Sequence, residues 1–106
     1  MKRVVLLPLL AVVAALGCAG QLPPPSEADA LRASSRYPGT TVADLTRGRK
    51  LYVEHCSGCH ALVRPQTKGP DEWPKLVAEM TERAKLPEAT AQEIVRYLVV
   101  ASGAPR

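Results

Sequence analysis

A shortage of core material constrains this chain before anything else. Only residues 42–106, 65 positions, carry sustained helical periodicity, and they hold one Trp, two Tyr and no Phe. Domains below roughly 70–80 residues seldom build a sufficient core from side chains alone and lean on a staple, a metal or a cofactor. These 65 residues must therefore supply a place for a second core component.

The periodicity predicts three helices. The first covers residues 42–55, with Thr41 as cap, Asp44 at the third position of a capping-box-like start, and Leu45, Gly48, Leu51 and Tyr52 on one face. The second covers residues 70–85: Pro70, Asp71 and Glu72 suit a first turn, and Trp73, Leu76, Val77, Met80 and Ala84 form the apolar stripe. The third covers residues 87–101, with Ala91, Ile94, Val95, Leu98 and Ala101 recurring at helical steps. No alternating strand pattern bounded by turns is present, so the class is all-α. The basic cluster Arg47, Arg49 and Lys50 reads as a solvated helix face.

The start of the chain stands apart from this domain. Lys2 and Arg3 precede residues 4–16, a 13-residue run that is apolar except for Pro8, and Gly17, Cys18, Ala19 and Gly20 follow. That order reads as an export signal. A spanning helix needs roughly 20 apolar residues, so a short transmembrane anchor is the weaker alternative. Ala15-Leu16-Gly17-Cys18 resembles the bacterial lipobox, in which the Cys becomes the acylated first residue. It departs from that pattern in placing Leu second, not third, before the Cys, and ordinary cleavage after Gly20 competes with it. The expected organisation is a lipoprotein-type signal peptide over 1–17, a Pro-rich tether over 18–41 and a domain over 42–106. Export places the chain in the periplasm, lipid-anchored to a bacterial membrane. It also removes nucleic acid as a partner: without Lys2 and Arg3 the formal net charge falls from +4 to +2. Gln21-Leu22-Pro23-Pro24-Pro25-Ser26 gives the tether stiffness, and residues 28–32 can form a short helical turn.

The second core component is announced by Cys56-Ser57-Gly58-Cys59-His60. A thioredoxin-like dithiol wants a βαβ setting, which is missing here. A zinc site wants four ligands, and beyond the motif only His55 and the distant Cys18 are on offer. A structural disulfide suits an oxidising compartment. Two Cys three apart at a helix end can also add to both vinyl groups of a haem, leaving the next residue to put an imidazole on the iron. Small size, export, helical pattern and spacing agree on this last reading.

With that motif the chain resembles small class I c-type cytochromes of bacteria. Gly48-Arg49-Lys50-Leu51-Tyr52-Val53-Glu54-His55-Cys56 resembles the family's run of Gly, aromatic and attachment motif, and Ile94-Val95-Arg96-Tyr97-Leu98 resembles its C-terminal helix. The resemblance implies a three-helix domain wrapped around one covalent haem c. It implies that the first and last helices cross at Gly48, with Tyr52 meeting Tyr97 or Leu98. It implies Cys56 and Cys59 as attachment points and His60 as the proximal iron ligand. Gly69-Pro70 resembles the family's Gly-Pro pair, slightly early after the motif.

Met80 is the only Met beyond the leader, and a thioether is a usual partner of His in electron-transfer haems. Its alternative role is core filling. His60 should donate its other N–H to a carbonyl, with residues 64–69 as candidates. Trp73 has three open roles: packing on the haem edge, donating to a propionate, or plain core. Arg64 and Lys68 can pair with propionates or stay exposed. The resulting expectation is a one-electron carrier, not an enzyme, with His60/Met80 ligation. It would serve redox protein partners, among them a membrane-bound oxidase or reductase. If Met80 leaves the iron alone, the haem is five-coordinate and suits gas sensing or peroxide reduction.

Overall fold

The computed structural model describes residues 22–57 and 61–105. These form α1 (Glu27–Ala33), α2 (Val42–Cys56), a 3-10 turn (Pro65–Thr67), α3 (Trp73–Ala84) and α4 (Glu88–Ser102), with no strand among the described residues. The molecule is all-helical, as the periodicity implies, and α2 and α4 fall within a residue of their expected bounds. No helix among the described residues is long and apolar enough to cross a membrane. Residues 1–21, with the expected leader and Cys18, lie outside the described part.

Two expectations need correction. The three-helix count omits α1, which lies in the stretch read as a tether. A capping box starts it: the Ser26 N–H donates to Asp29 Oδ2 at 2.7 Å and the Asp29 N–H returns to Ser26 Oγ at 3.4 Å. Ala33 at its end packs with Leu45 of α2 and Val100 of α4. Leu22, ahead of the Pro run, is 4% exposed, and its carbonyl accepts Arg49 Nε at 3.0 Å and Nη2 at 2.5 Å. Residues 22–41 are therefore anchored to the domain at Leu22 and Ala33, with Tyr37 packed against it, while most of their other side chains stay exposed. Pro-rich composition indicates stiffness and says nothing of docking.

The other correction is the start of α3, three residues later than expected. Gly69 to Glu72 close on themselves instead. The Gly69 carbonyl accepts from the Glu72 and Trp73 N–H groups, while the Glu72 carboxylate accepts from the Gly69 N–H at 2.5 Å. The helix thus begins on Trp73.

α2 starts as its sequence dictates. The Thr41 N–H donates to Asp44 Oδ2 at 2.9 Å, and the Asp44 N–H to Thr41 Oγ1 at 3.1 Å. These bonds, together with the charges of Arg96 and Arg47, hold the Asp44 carboxyl below the usual carboxylate range. Leu45, Gly48, Tyr52 and Cys56 are its buried stripe. α4 buries Ala91, Ile94, Tyr97, Leu98, Val99 and Val100. The two helices meet where the family resemblance implies. A Cβ on Gly48 would sit 2.5 Å from the Glu93 carbonyl oxygen and 2.7 Å from Tyr97 Cβ, so only glycine permits this approach. Arg47 is exposed as expected while its Nε reaches Glu93 Oε2 across the crossing at 2.5 Å, but Arg49 is half-buried and holds Leu22, so it leaves the solvated face. Lys50 stays exposed.

α3 packs on α4 through Trp73 and Val77, with Leu76 and Met80 half-buried; Ala84, expected on the stripe, is exposed. The helix ends on Lys85 in the left-handed region, at φ 52° and ψ 47°. Two residues later Pro87 caps α4.

Candidate functional site

The site is assembled from α2, α3 and the segment that follows the Cys-x-x-Cys-His run. Cys56, the last residue of α2, is buried. Gly58, Cys59 and His60 lie outside the described residues, and the chain is described again from Ala61. His55 is exposed.

Tyr52 lies one turn before Cys56 on the same stripe. Its ring meets Trp73 edge-on, with centroids 6.2 Å apart and planes at 76°, and meets Tyr97 at 6.2 Å and 44°. This is the contact with α4 that the resemblance implies. The Tyr52 hydroxyl donates to the Val63 carbonyl at 2.6 Å. Burial pushes this phenol up to about 12, so it remains a donor through the neutral range.

Trp73 loses one of its three expected roles. It is 2% exposed, and its Nε1–H donates to the Pro65 carbonyl at 2.9 Å. That donor is spent within the protein, so Trp73 does not offer it to a propionate. The Arg64 carbonyl takes Thr67 N–H and Oγ1–H at 3.0 and 2.7 Å. The Pro65 carbonyl takes the Lys68 N–H besides Trp73, and that of Gly69 takes two N–H groups. These three carbonyls, all candidates for the His60 N–H, thus already hold two donors each, the usual capacity of the oxygen.

Between these elements lies a cleft of about 180 Å³, lined by Tyr52, Val63, Lys68, Trp73, Leu76, Glu79, Met80 and Arg83. Five of these are apolar or aromatic walls. Lys68, Glu79 and Arg83 are exposed and stand at the solvent edge. Met80, half-buried on α3, presents the only sulfur among the lining residues. Cys56 is not part of the lining but belongs to the same core cluster as Tyr52, Trp73 and Met80. Arg64 is exposed and takes no part in the cleft. The sequence reading missed Arg83, although its i+3 spacing from Met80 places both on one helix face.

The residues present fit a haem. The cleft offers apolar walls for a flat macrocycle, a soft sulfur donor on one wall and cations at the edge for carboxylates. Cys56 lies one turn from Tyr52, which lines the same cleft. A wider groove of about 770 Å³ lies on another face of α3, lined by Val77, Thr81, Glu88, Gln92 and Arg96 among others. It holds no Cys, His or Met and offers iron no ligand of that kind.

Comparison with known proteins gives one match. The family model described as dihaem cytochrome c matches residues 52–105, from Tyr52 to the end of the described chain. No curated protein and no solved structure matches.

Proposed function

The chain belongs to the dihaem cytochrome c family, and on that premise we propose that it is a one-electron carrier with one haem c held in the cleft between α2 and α3. One observation carries this reading: Met80 lies on a wall of the same apolar cleft as Tyr52, one turn from Cys56, beside the segment that follows His60. The family is described by two haems. A single Cys-x-x-Cys-His run in 106 residues supports one attachment per chain, which refines the mono-haem class I resemblance without abandoning its count.

Bound in this cleft, haem c supplies a ferric/ferrous couple that exchanges one electron at a time. The chain's residues do the rest. Cys56 and Cys59 tether the group through thioether bonds. His60 and Met80 would hold the iron from the protein, leaving it no position for a substrate, which suits a carrier and not an enzyme. Met80 raises the potential relative to a nitrogen ligand. Tyr52, Val63, Trp73 and Leu76 keep water from the ring. Lys68 and Arg83 neutralise propionates at the edge.

The cellular setting belongs to the same proposal. Residues 1–17 direct export, and acylation of Cys18 anchors the domain to a membrane, where a tether raises its local concentration near a membrane-bound oxidase or reductase. Cys18→Ala should move the protein from the membrane fraction to the soluble periplasmic fraction.

Absorption spectra of the oxidised and reduced holoprotein test the ligation. A low-spin reduced spectrum, a weak far-red sulfur-to-iron band in the oxidised form, and indifference to carbon monoxide are expected. A high-spin spectrum that shifts with carbon monoxide would overturn it and favour gas sensing or peroxide reduction.

A further inference from the structure

The two side-chain donors buried beside the cleft both act on one short segment. Tyr52 and Trp73 are each 2% exposed, and each has a single N–H or O–H to place. The Tyr52 hydroxyl goes to the Val63 carbonyl at 2.6 Å and the Trp73 indole N–H to the Pro65 carbonyl at 2.9 Å. Between them the Arg64 carbonyl is closed by Thr67. Three successive carbonyls, beginning three residues after His60, are thus fixed from outside the segment or by its own turn. The donors come from different walls. Tyr52 belongs to the helix that ends on Cys56, and Trp73 opens the helix that carries Met80 two turns later.

We propose that Tyr52 and Trp73 are positioning residues that clamp the post-motif segment between the two helices bearing the iron-site residues, and so keep Met80 on the iron. This rests on the His60/Met80 reading above. Only Ala61 and Leu62 separate His60 from Val63, so a segment fixed at Val63 and Pro65 limits how far the imidazole can travel. The same two bonds fix α2 and α3 relative to that segment, and therefore the span that His60 and Met80 must bridge. Groups behind the ligands commonly set ligand strength to this degree. Releasing one carbonyl loosens the bridge without removing any ligand.

The test compares Tyr52→Phe, Trp73→Phe and Tyr97→Phe in the haem-loaded protein. Tyr97 is a buried phenol in the same aromatic stack, yet no hydrogen bond joins it to the 63–65 segment, so Tyr97→Phe controls for loss of a buried hydroxyl as such. The readouts, taken well below the unfolding temperature, are the far-red sulfur-to-iron band, the midpoint potential and the rate at which carbon monoxide binds the reduced form. For Tyr52→Phe and Trp73→Phe we expect a weakened band, a lower potential and carbon monoxide binding accelerated on the order of 10–100-fold. Tyr97→Phe should match the unaltered protein in all three. Equal behaviour of the three variants, whether all altered or all unaltered, overturns the clamp and leaves Tyr52 and Trp73 as core residues. An unaltered protein that itself lacks the band overturns the Met80 ligation instead, so the two failures are distinguishable. If Trp73→Phe does not fold, Tyr52→Phe alone decides.

Discussion

Two parts of the buried stripe of α2, one turn apart, are built on opposite terms. On one, Gly48 lets α4 approach until a single methyl would collide with the Glu93 carbonyl, and an Arg47–Glu93 ion pair closes the edge. On the other, Tyr52 and Met80 line an apolar cleft that side chains leave incomplete. The crossing is closed by protein atoms alone, whereas the cleft leaves apolar surface that the proposed haem would cover. The small domain thus spends its scarce aromatics at the boundary: Tyr52 touches Tyr97 on the crossing side and Trp73 on the cleft side. The lesson concerns allocation. With so few bulky residues, the crossing is packed to contact, and under the proposed function the cleft would be completed by a cofactor.

The largest effect should come from emptying the cleft side. The Cys56→Ala, Cys59→Ala double variant, purified without haem, is expected to lose most of its helical circular dichroism, because the crossing alone is too small to hold the chain. A native-like spectrum would break the comparison, since the cleft would then need no guest.

Attacking the crossing comes next. Gly48→Ala must displace backbone, at about 2–3 kcal/mol for overpacking, against about 1 kcal/mol of helix propensity recovered. Urea unfolding of the holoprotein should show a net loss, while its absorption spectrum stays that of the unaltered protein.

A smaller effect concerns alkaline pH. Burial pushes the Tyr97 phenol up to about 12, against roughly 10 in an unfolded chain. A raised folded value means the unfolded state loses its proton first. The contribution is therefore intact below pH 10 and disappears as pH rises toward 12. Tyr97→Phe should flatten this alkaline decline in denaturation midpoints and leave the neutral region's pH slope unchanged.

The smallest expected change is a gain. Lys85 holds a left-handed conformation at the end of α3, which costs a side chain roughly 1–2 kcal/mol relative to glycine. The greater unfolded-state entropy of glycine offsets about 0.4–1 kcal/mol of that gain, so Lys85→Gly should raise the melting temperature by a few degrees, at roughly 4–8 °C per kcal/mol for a domain of this size.

What the sequence made legible was local or periodic. The Thr41/Asp44 cap, the span of α2 and α4, and the exclusion of side chains at Gly48 all follow from residues a few positions apart or from a pattern with a known counterpart. The unread parts are tertiary. Whether the Trp73 N–H meets a propionate or the Pro65 carbonyl depends on where a loop eight residues away folds back, and no spacing records that. Leu22 shows the same limit: its burial depends on Arg49, 27 positions later, reaching its carbonyl. Residues 70–72 look like a helical first turn by type, yet the Glu72 carboxylate finds the Gly69 N–H and closes a turn instead. Of the candidate site, Met80 was legible as the one available thioether. The partners that shape its cleft, Val63 and Arg83 among them, were hidden until helices and loop were placed together.

One covalent haem on Cys56 and Cys59 underlies every role proposed for the cleft, and the intact mass of the purified protein under denaturing conditions reads it out. The expected mass exceeds that of the mature polypeptide, any acyl groups on Cys18 included, by one haem, and the haem increment is abolished in the Cys56→Ala, Cys59→Ala variant. A mass equal to the bare polypeptide, or an excess of two haems, would contradict it.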